Sequence, residues 1–389
     1  MIFRILEEQF AEKAASSQAA DRRFMQLALT LGRRGQGQTW PNPAVGAIVV
    51  KDGIVVGRGW TQAGGRPHAE PEALARAGEA AKGATLYVTL EPCSHVGKSP
   101  PCADAIIAAG IARVVSAIED PNPEVAGKGH ARLRAAGIRV DIGLCAEEAA
   151  HDHAGHLRKV RDKRPHVILK LAVSADDRIG GPHRTPLAIT GEEARNRVHL
   201  LRAQCDAILV GIGTVLSDNP QLTCRLPGME PRSPVRIVLD RNLRTPMESR
   251  LVRSARQTPL WLVTSELAEA AAKMKLGAAG AEIIRVAQVL DQPPGLDLTE
   301  ALQRLAERGI TRLLVEGGAR VAASFVAAGL VDEIWLLRSP QGVGAGGVDA
   351  LDRLPLTTIT GSKGFVAVSS EALEKDTLTI YQRSQARAA

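Results

Sequence analysis

The chain has 389 residues, more than one ordinary hydrophobic core accommodates, so two domains are expected. Hydrophobic residues make up 45% and charged residues 23%, a globular balance that excludes a disordered chain, and no apolar run reaches the length of a membrane span. The net charge of +7 is dispersed and accompanied by only 3% aromatic residues, which argues against nucleic-acid binding and suits small anionic substrates.

In the first twenty residues Arg4, Glu7, Glu8, Glu12 and Lys13 interrupt the apolar positions. The stretch therefore lacks a secretory core and reads as an N-terminal helical extension (1–20), with a cytoplasmic location as the expectation. Five cysteines, an odd count, argue against a disulfide framework; Cys145, Cys205 and Cys224 lie in apolar stretches and are expected in the core. Both halves then alternate short apolar runs with helical patterns, which predicts α/β layers. Val45–Val50 and Ile54–Gly59 flank Lys51-Asp52-Gly53 and predict a hairpin. Next come a helix over Ala69–Ala81, a strand over Thr85–Leu90, a helix over Cys102–Ala109 stopped by Gly110, and a strand over Arg113–Ile118. Gly137 ends a further helix at Ala131–Ala136. The basic run Arg158–Arg164 reads as a solvated linker within 151–165.

In the second half, strands are expected at Val167–Ser174, Ala207–Gly211, Arg236–Asp240, Leu260–Thr264, Glu282–Val286, Arg312–Val315 and Glu333–Leu337, with Thr377–Tyr381 closing the sheet. Helices are expected at Glu192–Ala203, Glu266–Lys275, Thr299–Arg308 and Ala319–Ala328. Thr190-Gly191-Glu192-Glu193 has capping-box spacing for the first of these. There is no internal repeat, so the halves read as two different folds.

The chemistry of the first half rests on His68-Ala69-Glu70 and on Pro92-Cys93 followed nine positions later by Cys102. One imidazole and two thiols make a three-ligand zinc set that leaves a fourth position for water, and the nearby carboxylate is a proton carrier. His-x-Glu with a later Pro-Cys is the deaminase signature, although its usual second cysteine follows after three positions. Helix starts at Ala69 and Cys102 favour thiolates. His95, two residues from Cys93, competes as a ligand, but its loop position suits a substrate-facing role better. A purely structural zinc would want a fourth protein ligand and leave Glu70 unexplained. Glu70 would take a proton from the attacking water and return it to the departing ammonia.

Pro41-Asn42-Pro43-Ala44-Val45-Gly46, His68-Ala69-Glu70, the Glu91–Cys102 loop and Asp120-Pro121-Asn122-Pro123 appear in this order. Together they resemble the deaminase half of the bifunctional riboflavin-biosynthesis deaminase/reductase family. The resemblance implies a cytidine-deaminase-like α/β/α domain over 21–150, with His68, Cys93 and Cys102 as ligands of one Zn2+ and Glu70 as proton shuttle. It also implies that Asn42, Lys98, Asp120 and Asn122 line the substrate pocket. An amide suits a pyrimidinone edge and a lysine suits a phosphate. Thr61 stands where the family often has a histidine.

In the second half, Gly211-Ile212-Gly213 after a strand invites a dinucleotide fingerprint. The third glycine and the later acidic residue are missing, so a Rossmann fold is weakly supported. Lys170–Asp176, Thr190, Arg202-Ala203-Gln204, Asp206–Gly211, Gly213–Pro220, Leu222–Arg225, Arg236–Asp240 and Leu314–Gly318 instead resemble the reductase half of the same family. That implies a dihydrofolate-reductase-like α/β domain over 166–385 using NADPH, and extends the resemblance over about residues 21–385. Ala172, Thr190, Thr214, Asp218, Gly317 and Gly318 would touch the cofactor. Arg202, Leu222, Arg225 and Glu316 would hold the substrate. Lys170 is the candidate to polarise or protonate the sugar carbonyl oxygen during hydride transfer. Asp177, Pro186 and Ala188 replace a usual glycine, polar contact and tryptophan.

The resulting expectation is a two-step enzyme. Zinc-dependent removal of the 2-amino group of a diamino-ribosylamino-pyrimidinone 5′-phosphate is followed by NADPH-dependent reduction of its ribosyl group to ribityl. The partners implied are a phosphorylated pyrimidine and further copies of the chain in a homodimer or higher homo-oligomer, with no nucleic acid and no membrane. Two rivals differ in what they require. A nucleoside or tRNA-base deaminase with an unrelated C-terminal module would carry the short cysteine spacing. A non-catalytic binding or regulatory homologue would have lost Glu70 or a ligand.

Overall fold

The structure is a computed structural model describing residues 2–97, 99–182, 185, 187–289 and 295–384, with residues 2–17 as helix backbone only. Its chain divides into two compact units, Met1–Asp162 and Lys163–Ala389.

The first unit has a five-stranded sheet of β1 (Gly46–Lys51), β2 (Ile54–Trp60), β3 (Thr85–Val88), β4 (Arg113–Ser116) and β5 (Arg139–Ile142), in the order β2-β1-β3-β4-β5. β1 pairs antiparallel with β2 and β3, whereas β3-β4-β5 are parallel. Strand periodicity sends alternate side chains to opposite faces. Ala47, Val49, Leu86, Val88 and Val114 join one core with Ala69, Ala73 and Leu74 of α2 (Ala69–Ala77) and Ala103 and Ile106 of α3 (Cys102–Ala108). Their neighbours Ile48, Val50, Tyr87 and Val115 pack on Met25, Ala28 and Leu29 of α1 (Ile2–Arg33). The result is an α/β/α sandwich. α4 (Lys128–Ala135), α5 (Ala146–Asp152) and α6 (Ala154–Asp162) complete the unit.

The second unit carries a nine-stranded sheet of β6 (His166–Val173), β8 (Ala207–Gly211), β9 (Val235–Leu239), β10 (Leu260–Ser265), β11 (Ala281–Val286), β14 (Arg312–Val315), β15 (Glu333–Arg338), β17 (Phe365–Leu373) and β18 (Asp376–Arg383). The order is β11-β10-β9-β8-β14-β6-β15-β18-β17, with every pairing parallel except β15-β18 and β18-β17. Small ladders join β7 (Arg178–Gly180) to β16 (Val348–Asp349) and β12 (Gln288–Val289) to β13 (Gly295–Leu296). The helices are α7 (Glu192–Ala203), α8 (Ile212–Asp218), α9 (Arg250–Arg253), α10 (Ala270–Ala278), α11 (Leu298–Glu307), α12 (Ala319–Ala327) and α13 (Thr357–Thr360). One face of the sheet, with Ile168, Ile208, Val210, Val238, Leu262 and Leu314, packs on Ala194, Val198 and Leu201 of α7 and Leu276 of α10.

Several local expectations differ from what is found. The expected helix 69–81 stops at Ala77, because Gly78 turns to φ 53°. The expected linker 151–165 is helical to Asp162, and Arg158 of its basic run pairs with Asp162 one turn on. Within the expected extension 1–20, residues 2–20 are continuous with residues 21–33 in one helix. Thr190 does not cap α7; Gly191 is the N-cap, and its amide donates to Asp376 at 2.6 Å. The helix expected over Glu266–Lys275 begins at Ala270, since the Ser265 hydroxyl first accepts the Leu267 amide in a tight turn. The strands β5, β7, β12, β13, β16 and β17 were not expected from sequence.

Candidate active sites

Strand register brings the deaminase-like residues to one edge of the first sheet. Gly46 pairs with Trp60, Ala47 with Val88, and Val88 with Ser116. The segments before β1 and after β2, β3 and β4 therefore emerge together, carrying Asn42, His68, Cys93 and Asp120 respectively. Two glycines seat α2 on β2. A Cβ on Gly57 would lie 2.2 Å from the Ala73 carbonyl, and one on Gly59 2.3 Å from the Ala69 carbonyl.

His68 is the N-cap of α2, Glu70 stands in its first turn, and Cys102 opens α3. His68 Nδ1 lies 3.3 Å from Cys102 Sγ and 3.8 Å from Cys93 Sγ, and the three donor atoms all fall within 4.8 Å of one another. Zinc bonds of about 2.0–2.1 Å to nitrogen and 2.3 Å to sulfur put neighbouring tetrahedral donors roughly 3.5 Å apart, so this donor set fits a zinc ion with one position left over. The Cys102 backbone amide donates to Cys93 Sγ at 3.3 Å. A hydrogen bond from the Cys102 thiol pushes Cys93 down to about 4 against the effect of burial, with His68 and the Cys102 amide acting in the same direction. Glu70 is buried, and burial pushes its carboxyl up to about 7 although His68 pulls it down. His95 is exposed and outside the donor set.

Around this centre, Asn42 Nδ2 donates to the Gly65 carbonyl at 2.8 Å. Asp120 is buried, and its Oδ1 accepts the Asn122 amide at 2.9 Å. Lys98 and Pro186 lie outside the described residues. Thr61, where the resemblance leads one to expect a histidine, is buried with its hydroxyl accepting the Val45 amide at 3.0 Å. Glu91, Glu119 and His130 also bring donor atoms within 4.8 Å. There, however, both Glu91 oxygens already accept backbone amides, from Asp120, Gly127, Gly129 and His130. That carboxylate organises the 120–130 loop and has no lone pair left for a metal.

In the second unit the chain leaves β8 through α8 towards β9, and leaves β14 through α12 towards β15 on the other side of β6. Ligands of open parallel sheets bind at such a switch point, beyond the carboxyl ends of the strands. Val315 pairs with Leu169 on one side and Leu209 on the other, so Glu316 emerges beside Lys170. Lys170, Thr190, Arg202, Arg225 and Glu316 line one cavity of about 120 Å³. Arg202 grips Glu316 with both ends of its guanidinium, at 2.7 and 2.9 Å. Burial pushes the Glu316 carboxyl up, but the Arg202 charge and hydrogen bonds prevail and hold it at about 2. Burial lowers Lys170, with Glu316 opposing and Arg202 reinforcing that shift.

Arg195, Val198 and His199 also line the cavity and were missed from sequence. The i, i+4, i+7 spacing of Arg195, His199 and Arg202 along α7 was the available signal. His199 Nδ1 accepts the Arg225 amide at 3.3 Å, and burial with the Arg202 and Arg225 charges pushes it down to about 4.

The expected cofactor residues do not line this cavity apart from Thr190. Gly318 is the N-cap of α12, and a Cβ there would lie 3.7 Å from Thr214 Oγ1, so the starts of α8 and α12 adjoin. The open backbone amides of the α12 start suit a cofactor phosphate. Gly317 has a packing reason as well: its Cβ would meet Val321 at 2.6 Å. A Cβ on Gly211 would meet the same side chain at 2.7 Å, which accounts for the first glycine of the apparent fingerprint. Asp218 is exposed, Ala172 packs against the core, and Leu222 is buried at φ 58°. Asp177 takes φ 61°, a conformation a glycine adopts without strain, and pairs with Arg338 at 2.7 Å.

A donor set that fits zinc beside a buried carboxylate on the sandwich, and a cationic cleft on the separate parallel-sheet unit, are the parts that a two-part deaminase and reductase requires. The family profile described as the cytidine and deoxycytidylate deaminase zinc-binding region matches residues 18–118, and that of the RibD C-terminal domain matches residues 165–378. The chain is 42% identical to riboflavin biosynthesis protein RibD of Aquifex aeolicus, over 84% of this chain and 88% of the relative. It is 41% identical to that of Escherichia coli, over 84% and 89%. Among solved structures, RibD of Acinetobacter baumannii superposes with TM-score 0.83 at 34% identity, covering 95% of this chain and all of the other. The diaminohydroxyphosphoribosylaminopyrimidine deaminase/5-amino-6-(5-phosphoribosylamino)uracil reductase of Thermotoga maritima does so with TM-score 0.82 at 35% identity and the same coverage. The chain belongs to the RibD family of bifunctional riboflavin-biosynthesis deaminase/reductases, enzymes acting on a small-molecule substrate with zinc and NADPH. The rival readings as a nucleoside or tRNA-base deaminase with an unrelated C-terminal module, or as a non-catalytic homologue, are not favoured. Among the described residues no helix is long and apolar enough to cross a membrane.

Proposed function

We propose that the first unit performs the deamination with His68, Cys93 and Cys102 as zinc ligands and Glu70 as proton shuttle. The observation that carries this reading is the buried Glu70 two residues from His68, whose donor atom lies within 4.8 Å of both thiols. A bound zinc supplies Lewis-acid activation of the attacking water at neutral pH. Glu70 removes a proton from that water and delivers it to the departing amine, so that ammonia leaves and a ring carbonyl remains. Asn42, Lys98, Asp120 and Asn122 hold the pyrimidine and its phosphate.

The second unit performs the reduction, for which NADPH supplies the hydride. Arg202, Leu222, Arg225 and Glu316 hold the substrate, while Ala172, Thr190, Thr214, Asp218, Gly317 and Gly318 hold the cofactor. Lys170 donates a proton or hydrogen bond to the carbonyl oxygen of the opened sugar as hydride arrives. Its neighbours Glu316 and Arg202 favour opposite protonation states, which suits a group that exchanges a proton. The same reading makes the protein cytoplasmic and a homodimer or higher homo-oligomer, with one zinc per chain.

The test is to give the purified enzyme the diaminopyrimidine phosphate and follow ammonia and NADPH together. Ammonia should appear without NADPH, and NADPH oxidation should follow only after deamination. Absence of ammonia would reject the deaminase assignment. A Lys170→Met protein with unchanged reductase turnover would reject the role of Lys170.

A further inference from the structure

Among the described residues two groups hold the Asp120 side chain, and both act on Oδ1. The Asn122 amide donates from within the same loop at 2.9 Å, and His156 Nε2 lies 2.9 Å away, brought in by α6 from 36 residues along the chain. Both side chains are largely buried, His156 at 12% and Asp120 at 9% exposure. An ionised carboxylate only accepts, so the proton of this contact belongs to His156 Nε2. Burial pushes the Asp120 carboxyl up, but the His156 contact and the Asn122 amide prevail and keep it below its usual range.

The loop backbone does not depend on His156. The Asp120 amide already donates to Glu91 Oε2 at 3.2 Å, and the same carboxylate holds Gly127, Gly129 and His130. What His156 adds is a constraint on the rotation of one side chain. The neighbouring His153 is different: its Nε2 reaches the Thr89 hydroxyl at 3.0 Å, and that hydroxyl accepts the Gly46 amide, which is a lock within the fold.

We propose that His156 is a positioning residue for deamination, fixing Asp120 through Oδ1 so that Oδ2 meets an N–H donor of the aminopyrimidine. Among the described residues no hydrogen bond is recorded on Oδ2. The inference rests on the reading of Asp120 as a substrate contact. His156 itself touches no substrate, so its effect falls on binding more than on turnover.

Steady-state deamination of the diaminopyrimidine phosphate by the full-length zinc enzyme tests this with His156→Ala, His156→Leu, His156→Gln, Asp120→Ala and the His156→Ala/Asp120→Ala double variant. His156→Ala and His156→Leu should each raise KM about tenfold and change kcat less than about twofold, the loss of one hydrogen bond to a charged group. His156→Gln, whose amide keeps a donor, should recover most of the loss. In the Asp120→Ala background His156→Ala should add nothing, because the two act as one unit. Zinc content and reductase turnover report that the chain has folded. His156→Leu preserves bulk, so a wild-type KM in that variant, with KM raised in Asp120→Ala, would overturn the proposal and leave Asp120 as a contact. Unchanged kinetics in Asp120→Ala would instead reject the reading of Asp120, and the proposal with it.

Discussion

At the scale of single residues, Arg202 and Glu316 show how charge is held in the reductase cleft. The Glu316 pKa is depressed in the fold from an ordinary 4.5 to about 2. The stability this contributes, about 3 kcal/mol, is complete above pH 4.5 and is lost as pH falls from there towards 2. Glu316→Gln should therefore lower the urea midpoint at pH 7, and the gap from wild type should close in acid; a gap independent of pH would contradict this. Residues of this kind differ in how readable they were. His68, Cys93 and Cys102 could be grouped from sequence because zinc chemistry restricts both residue type and local spacing, and the fold does bring their donor atoms within 4.8 Å of one another. His199 was not readable, since its place depends on α7 packing that brings it against the Arg225 backbone. His156 was equally hidden, because its acceptor is 36 residues away.

At the scale of elements, the placement of His68 and Glu70 depends on how closely α2 lies on β2. Gly59→Ala would put a methyl group 2.3 Å from the Ala69 carbonyl and 2.6 Å from the Ala73 amide. Overpacking against backbone costs about 1–3 kcal/mol, and here the strain falls on the helix turn that carries Glu70. Weaker zinc retention and reduced deamination with near-normal reductase turnover are expected, checked by metal analysis after chelator challenge; unaltered zinc affinity would contradict the seating role. Elements with clean periodicity, such as β1, β8 and β10, were readable from sequence. β17 was not, because most of its residues are exposed, including Val366 and Val368, and the alternation that marks a half-buried strand is absent. The start of α10 was misread for a different reason, since a serine side chain diverts the backbone before the helix begins.

At the scale of the whole molecule, the two halves carry separate chemistry on separate sheets, so their activities should be separable by single substitutions. Lys170→Met should lose reduction by a factor of about 10² or more while releasing ammonia at the normal rate. A deaminated product should then accumulate, detectable by its own absorbance; parallel loss of both activities would contradict independent sites. The bifunctional organisation was legible because motifs of both halves occur in order along one chain. The cut between the units, after Asp162, falls within the expected 151–165 segment, although the basic run near residue 160 resembles a linker in composition and forms the end of α6.

The most direct test of the central claim is zinc content and ammonia release measured side by side for wild type and Glu70→Gln. Glu70→Gln should retain one zinc per chain and lose deamination by about 10²–10⁴-fold, the usual contribution of a positioned proton carrier. Glu70→Gln protein with full zinc and wild-type ammonia release would contradict the assignment of Glu70 and the deamination chemistry built on it.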